Sequence, residues 1–341
     1  MRILILALTF VLTSLVSPSF AEGKKIGVAW GDLAQPRWRW DVTAMRSIIE
    51  RRGNKYLPFN AAGSAEKQLQ DIEQMINDGV DAIVIQAVDK DVIMTSVERA
   101  AAAGIPMLAY DRLIEHPGVF YITFDNVGVG RLIAAIVKEQ KPTGNYAIIK
   151  GDPGDPNSDF LRQGMEEVIG ASVAGGQIKI VGEAYADGWS PDSAKAIMEQ
   201  ILAESGNQVD AVLAENDNMA GAAVEALAAA GLSVPIGGQD GDPAALNRVA
   251  QGTQTVSVWK NSFDLAKQAG LVAVQLAEGT PMNLIPEARQ FSGGEKGVPV
   301  WSILLNPTPI TAETLDLVIE ADHVTKKDVC KNALPTVAAC Q

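Results

Sequence analysis

The sequence predicts an α/β protein of two similar lobes, each a parallel sheet covered by helices on both faces. Three observations point there. Short, continuous apolar runs recur along the chain, separated by amphipathic stretches at helical spacing, the pattern of strands buried on both faces. The pattern restarts midway, and Gly79–Ile85 (GVDAIVI) in the first half is echoed by Gln208–Ala214 (QVDAVLA) in the second. The 341 residues, 47% hydrophobic and 20% charged, suit two soluble domains better than one.

The elements follow in order. Lys25–Trp30 is the first strand, and the helix after it runs through Ile48 and Ile49 to a stop at Arg52-Gly53. Leu69, Ile72, Met75 and Ile76 recur at helical spacing until Asp78-Gly79 ends the segment. Ala82–Ile85 is the next buried strand, a helix around Val92–Ala103 follows, and Pro106–Tyr110 is another strand. After Thr123–Asn126 the cycle begins again, with strands at Tyr146–Lys150, Ile178–Glu183, Ala211–Ala214 and Pro235–Gly238 and helices between them. A helix near Phe263–Glu278 and a strand near Pro299–Leu305 complete the pattern. Trp40 is expected in the core beneath a loop.

The first residues address the chain. Met1-Arg2 precedes an apolar run from Ile3 to Val16, and the small residues Ser19 and Ala21 stand where a signal peptidase needs them. Residues 1–21 therefore read as a secretory signal peptide, cleaved near Ala21. The run is shorter than the roughly 20 apolar residues a membrane-spanning helix needs. The exported chain meets an oxidising compartment, where a bridge between Cys330 and Cys340 would close a small loop within the tail, residues 326–341.

Charge and composition remove several functions. Lys and Arg number 28 against 41 Asp and Glu, a formal charge of −13, which argues against a nucleic-acid partner. Two His and two Cys at dispersed positions do not make a structural zinc site. No metal and no cofactor are expected.

Ligands of doubly wound sheets collect at the carboxyl ends of strands. The sequence places there Arg37 and Trp38 after Trp30, Asp111 and Arg112 after Tyr110, and Asp155 and Asn157 after Lys150. Further on come Trp189 after Ala186, Asn216 after Ala214, Asp240 after Gly238 and Lys260 after Val258. Carboxylates, amides and guanidinium forks are what hydroxyls that both donate and accept require. Flat aromatic rings suit the C–H faces of a sugar. Competing readings are a surface ion pair for Asp111-Arg112 and helix capping for Asn216-Asp217.

At these residues the chain resembles the D-xylose receptors of the type I periplasmic binding protein family, which also includes ribose and galactose receptors of ABC importers. The resemblance rests on Arg37-Trp38, Tyr110–Leu113 (YDRL), Thr123–Asn126 (TFDN), Asp155-x-Asn157, Asp187-Gly-Trp189, Asn216-Asp217, Gly238–Asp242 (GQDGD), Gly252–Thr255 (GTQT) and Lys260, in that order. It departs at Asp155-Pro156-Asn157, where the family usually has Asp-Asn-Asn.

The resemblance implies two Rossmann-like lobes joined by a three-strand hinge. Residues 22–125 plus 260–297 would form the N-terminal lobe and residues 126–259 plus 298–325 the C-terminal lobe. The chain would cross between them near Asp125-Asn126, Trp259-Lys260 and Leu305-Asn306-Pro307. It implies Arg37, Asp111 and Arg112 as first-lobe ligands for hydroxyls. Asp155, Asn157, Asn216 and Asp240 would serve from the second lobe or hinge, with Lys260 beside a crossing. Trp38 and Trp189 would stack on the sugar from opposing sides. The implied partners are a monosaccharide such as D-xylose and the membrane permease subunits of an ABC importer, met in the periplasm by a monomeric receptor.

Other functions are weaker fits. Gly128-Val-Gly130 hints at a dinucleotide fingerprint, but Ile133 stands where its third glycine belongs. There is no phosphate-binding P-loop, and neither His lies in a nucleophile–base or His-Glu-x-x-His motif, so no enzyme is expected. Hydrolysis of a glycoside by a carboxylate pair is the enzymatic alternative. A sugar-responsive regulator would need a DNA-binding head where the export signal stands. A receptor for another pentose, hexose or polyol that feeds a chemotaxis or sensor-kinase protein differs only in ligand and partner.

Overall fold

The computed structural model describes residues 23–34 and 37–341, so the expected signal peptide and its cleavage point lie outside the described residues. The first sheet is built from β1 (Lys25–Trp30), β2 (Lys55–Asn60), β3 (Ala82–Ile85), β4 (Met107–Tyr110) and β5 (Val119–Phe124). Helices α1 (Trp38–Arg51), α2 (Ala65–Asn77) and α3 (Met94–Ala102) lie between these strands. The second sheet takes β6 (Gly144–Lys150), β7 (Ile178–Tyr185), β8 (Ala211–Ala214), β9 (Ile236–Gln239) and β10 (Val256–Trp259). Its helices are α4 (Asn126–Gln140), α5 (Pro156–Ala174), α6 (Pro191–Ser205), α7 (Asp217–Ala229) and α8 (Pro243–Ala250). Then come α9 (Ser262–Ala277), β11 (Arg289–Phe291), β12 (Val300–Leu305) and β13 (Thr308–Ile310), and the short α10 (Asp316–Glu320) and α11 (Lys326–Val329).

The two sheets share one topology. The first runs β11-β12-β5-β4-β3-β1-β2 and the second β13-β10-β9-β8-β6-β7. In each, the opening strand sits between the second and third, and the next strands extend the sheet outward, the doubly wound order whose switch point receives ligands. All pairings are parallel except β11 on β12 and β13 on β10. The echo in the sequence falls at β3 and β8, which pair with β1 and β6 in equivalent positions.

The chain passes between the sheets three times, after β5, after β10 and after β12. This corrects one expected boundary. Residues 298–325 were assigned to the second lobe, but β12 pairs with β5 in the first sheet, Ser302 opposite Tyr121 and Leu305 opposite Phe124. The crossing comes only between Leu305 and Thr308, because the apolar run before it completes the first sheet and buries Val300 and Ile303.

Each sheet has its own core. Ile26, Val28, Leu108, Phe120 and Ile122 pack against α1 and α9 on one face of the first sheet. Ile83, Ile85, Met107 and Tyr121 pack against α2 and α3 on the other. The second lobe has a single large cluster around Tyr146, Ile148, Leu213 and Val258. Helices α4 and α5 meet closely because Gly130 and Gly164 carry no side chain, and a Cβ at either would fall 2.0 Å from a carbonyl oxygen of the other helix. That packing accounts for Gly130, while Gly128 leaves room for the Asp125 carboxylate that caps α4.

Strands β2, β5, β11 and β13 are not announced by periodicity. Edge strand β2 holds Pro58 and fully buries only Tyr56, which an edge position tolerates because one side of the strand needs no ladder donors. Trp40 is a second departure. It is 40% exposed on α1 and stacks on Phe263 at 5.5 Å rather than lying in the core. The tail folds back over α8: Asn247 Nδ2 donates to the carbonyls of Val329 and Lys331, and the Leu334 amide donates to the Ala250 carbonyl. Cys330 and Cys340 are bridged. Because the bridge closes only a short loop, replacing both cysteines by serine should cost ~2–3 kcal/mol and lower the thermal midpoint on the order of 5 °C. An unchanged midpoint in scanning calorimetry would show that the tail holds without it.

Candidate functional site

Every residue expected at a strand end arrives at one place. Arg37, Trp38, Asp111, Arg112, Asp155, Asn157, Trp189, Asn216, Asp240 and Lys260 line a single cavity between the carboxyl edges of the two sheets. Gln239 joins them. It is the last residue of β9, and its place beside Asp240 at the carboxyl end of a strand was the available signal.

Local structure fixes each group. Asp155 caps α5, where its Oδ1 accepts from the Asn157 amide at 3.0 Å, and its Oδ2 is left to face the cleft. Asn216 caps α7 in the same way, with its Oδ1 accepting from the Met219 amide at 2.8 Å and its Nδ2 left over. Capping thus occupies one polar atom of each side chain and leaves the other at the cavity. Asp111, Trp189 and Asp240 have positive φ, at 65°, 57° and 106°. Non-glycine residues adopt such angles at a cost of ~1–3 kcal/mol, which the surroundings must offset. Asp111 and Asp240 directly follow β4 and β9, Trp189 closes a single 3-10 turn after β7, and all three line the cavity. Gly151 makes room for one of them: a Cβ there would sit 2.3 Å from the Trp189 ring.

Charge crosses the cleft. The Arg37 guanidinium donates through Nη2 to Asp111 Oδ2 at 3.0 Å in its own lobe and through Nη1 to Asp240 Oδ1 at 2.8 Å in the other. It also lies over the Trp38 ring, 4.1 Å from the centroid. Arg112 Nε is 2.8 Å from Asp155 Oδ2 without hydrogen-bond alignment, while its Nη1 donates to the Ala87 carbonyl at 2.8 Å. Asn157 Nδ2 donates to Asp111 Oδ1 at 3.1 Å, and the Trp189 indole donates to Asp155 Oδ2 at 3.2 Å. Lys260, only 1% exposed, stands 3.5 Å from Asp111 Oδ2 and donates to Asn126 Oδ1 at 3.2 Å.

These contacts set the protonation states. Burial alone would raise the Asp111 pKa, but Lys260, Arg37 and Arg112 outweigh it and bring it down to about 2. Burial works against the charge on Arg37, yet Asp111 and Asp240 hold its pKa above the ordinary value. Asp155 goes the other way, because burial outweighs the help from Arg112. Behind Trp38, burial pushes Asp41 up to about 6 despite Arg37 and the hydroxyl of Tyr110, which donates to it. Three cations (Arg37, Arg112, Lys260) face three carboxylates (Asp111, Asp155, Asp240), so the fully ionised lining has no net charge. Arg37 Nε, Asn216 Nδ2 and Gln239 Oε1 are buried with no hydrogen-bond partner in the protein. Each such orphan costs ~1–3 kcal/mol, so a ligand presenting hydroxyls to them recovers that free energy. Among the described residues no cluster of His, Cys, Asp and Glu could hold a metal ion, and no helix is long and apolar enough to cross a membrane.

Residues 26–281 match the family described as the periplasmic binding protein domain. The chain is 40% identical to the D-xylose-binding periplasmic protein of Escherichia coli over 94% of its own length and 97% of that protein's. It is 37% identical to the D-xylose-binding periplasmic protein of Haemophilus influenzae over 95% and 98%. An ABC transporter solute-binding protein of Clostridium phytofermentans, solved with β-D-glucose bound, superposes with a TM-score of 0.82 at 28% identity, covering 90% of this chain and all of that one.

Two outcomes check the site as described. Asp111 should stay ionised as acid is added: a carboxylate with a depressed pKa keeps its charge, and its contribution to stability, until the pH falls through its folded value. Carboxyl-carbon NMR should accordingly show Asp111 titrating near pH 2, and a step at the ordinary aspartate position would mean the ion pairs around it are not formed. Gly151→Ala should displace the Trp189 ring and alter tryptophan emission, and an unchanged spectrum would show that the ring is not held against that backbone.

Proposed function

The chain belongs to the periplasmic binding protein family, and from that premise we propose that it captures a monosaccharide, D-xylose foremost, between its two lobes and delivers it to the permease of an ABC importer. The observation that carries the reading is the lining itself: charge-balanced, amide-rich and edged by two indoles, with buried polar atoms still lacking partners. A neutral polyol satisfies such a lining without leaving a charge unpaired. An anionic or cationic ligand would add an uncompensated charge to a desolvated site. The two D-xylose-binding relatives favour a pentose, and the glucose-bound neighbour makes a hexose the competitor to test.

Binding follows from the hinge. A sugar that contacts Arg37 and Asp111 in one lobe and Asn216, Gln239 and Asp240 in the other makes its full set of bonds only when the lobes are shut. Its differential affinity for that form shifts the equilibrium towards closure. The permease then reads the closed shape. The sugar leaves chemically unchanged. One chain completes the site, so the receptor acts as a monomer, and it reaches the periplasm by the signal peptide of residues 1–21.

Calorimetric titration with xylose, arabinose, ribose, glucose, galactose and inositol tests the reading, with tightest binding expected for xylose. Asp240→Ala should weaken that binding at least about tenfold, since bonds to a charged acceptor contribute ~1.5–3 kcal/mol each. Arg37 keeps Asp111 as a partner, so the variant stays folded. Affinity at the wild-type level would remove Asp240 from the site. Small-angle scattering should show a smaller radius of gyration with sugar present, and unchanged dimensions at saturation would count against closure.

A further inference from the structure

Behind the second-lobe wall lies a carboxylate with no role in the site so far. Asp217, the first residue of α7, is fully buried and does not line the cavity. Its Oδ2 accepts from Ser257 Oγ at 2.5 Å and from the Asp242 amide at 3.0 Å, and its Oδ1 accepts from Gln254 Nε2 at 2.8 Å. Ser257 Oγ in turn accepts from the Gly241 amide at 3.0 Å. Arg248 locks the rear of the network, donating to the Asp217 carbonyl at 2.7 Å and to Gln254 Oε1 at 3.0 Å. A Cβ on Gly238 would sit 2.5 Å from Asp217 Oδ1, so β9 leaves the carboxylate just the space it fills.

Every group that meets the Asp217 side chain is a donor, and the donors come from three segments. Asp242 and Gly241 belong to the turn that holds Asp240 at positive φ. Ser257 lies on β10, which leads to Lys260, and Gln254 lies in the turn before it. Asp217 itself follows Asn216. One side chain thus joins the supports of Asn216, Gln239, Asp240 and Lys260. We propose that Asp217 is a positioning residue: it fixes the strained turn at Asp240 and so sets sugar affinity without touching the sugar. The inference rests on the sugar-binding reading above.

The charges around it give the proposal a signature. Burial raises the Asp217 pKa, Asp242 and Asp240 add to the rise, and Ser257 and Arg248 oppose it. Burial and Asp240 push Asp242 up to about 7 against Arg37 and Arg248. His323, whose Nε2 meets the Gly241 carbonyl at 2.8 Å, flanks the turn from the tail side. The acceptor set requires the ionised form of Asp217. Protonation removes an acceptor, so sugar affinity should rise with pH as Asp217 ionises. Removing the neighbouring charge with Asp242→Asn should move that rise to lower pH.

Calorimetric titration of the protein with D-xylose across the pH range in which it stays folded tests this. Whichever way its amide is turned, Asp217→Asn directs an N–H at a group that only donates, Gln254 Nε2 or the Asp242 amide, so affinity should fall about tenfold or more and the profile should flatten. Ser257→Ala, a milder change that removes the acceptor of the Gly241 amide, should lose severalfold and decides the matter if Asp217→Asn does not fold. Wild-type affinity in Ser257→Ala, or a wild-type pH profile in folded Asp217→Asn, overturns the inference and leaves the sugar reading standing. Absence of binding by the wild-type protein to any of the six sugars above fells both.

Discussion

The site depends on one buried guanidinium. Arg37 cannot stay charged away from water without counter-charges, and it finds one in each lobe, Asp111 on its own side and Asp240 across the cleft. A planar fork can hold two carboxylates at once in a way an ammonium cannot. The lobes are thereby held in one relative position by the same group that faces the ligand. The Arg112–Asp155 pair repeats the device at the other side of the cavity. Because each cation is matched by a carboxylate, the cavity is electrically quiet despite being lined largely by ions, and that is the condition for holding a neutral molecule tightly.

The second lobe achieves rigidity differently. Asp155 and Asn216 are each anchored by a helix they cap, so one polar atom is fixed by the backbone while the other is presented to the cleft. A side chain used this way has little rotamer freedom left to lose on binding. Strained backbone at Asp111, Trp189 and Asp240 serves the same end, since a turn over-determined by its neighbours does not relax when a ligand leaves. The Asp217 network is the clearest case of such over-determination.

Two sheets that share the order of their five central parallel strands and face each other explain why the ligand groups come from so many points of the chain. Each sheet contributes its strand ends, and the crossings after β5, β10 and β12 put the two edges face to face. The scaffold fixes where ligand groups stand and says little about which sugar they take. Structural neighbours of the same fold hold glucose in one case and myo-inositol in another. Selectivity therefore sits in the individual side chains, among which Gln239 offers an acceptor still without a partner.

The sequence by itself determined the two-lobed class, most of the strand and helix order and a set of polar residues at strand ends, because continuous apolar runs and helical spacing are local signals. The ten cavity residues were singled out from that set by the family resemblance, and the bridge between Cys330 and Cys340 was expected because the two lie close together in an exported chain. Other features were decided only by tertiary structure. The edge strand β2 carries a proline that a central strand could not, so its pattern does not look like a strand until a neighbour pairs it. β12 joins the first sheet rather than the second because a run buried on one face takes whichever edge is open to it. Above all, no local pattern tells that Arg37 will meet Asp240, 203 positions away, or that Asp217 will hold the turn beside it. Those contacts arise from the hinge that brings two separate sheets edge to edge, and that is a property of the folded chain alone.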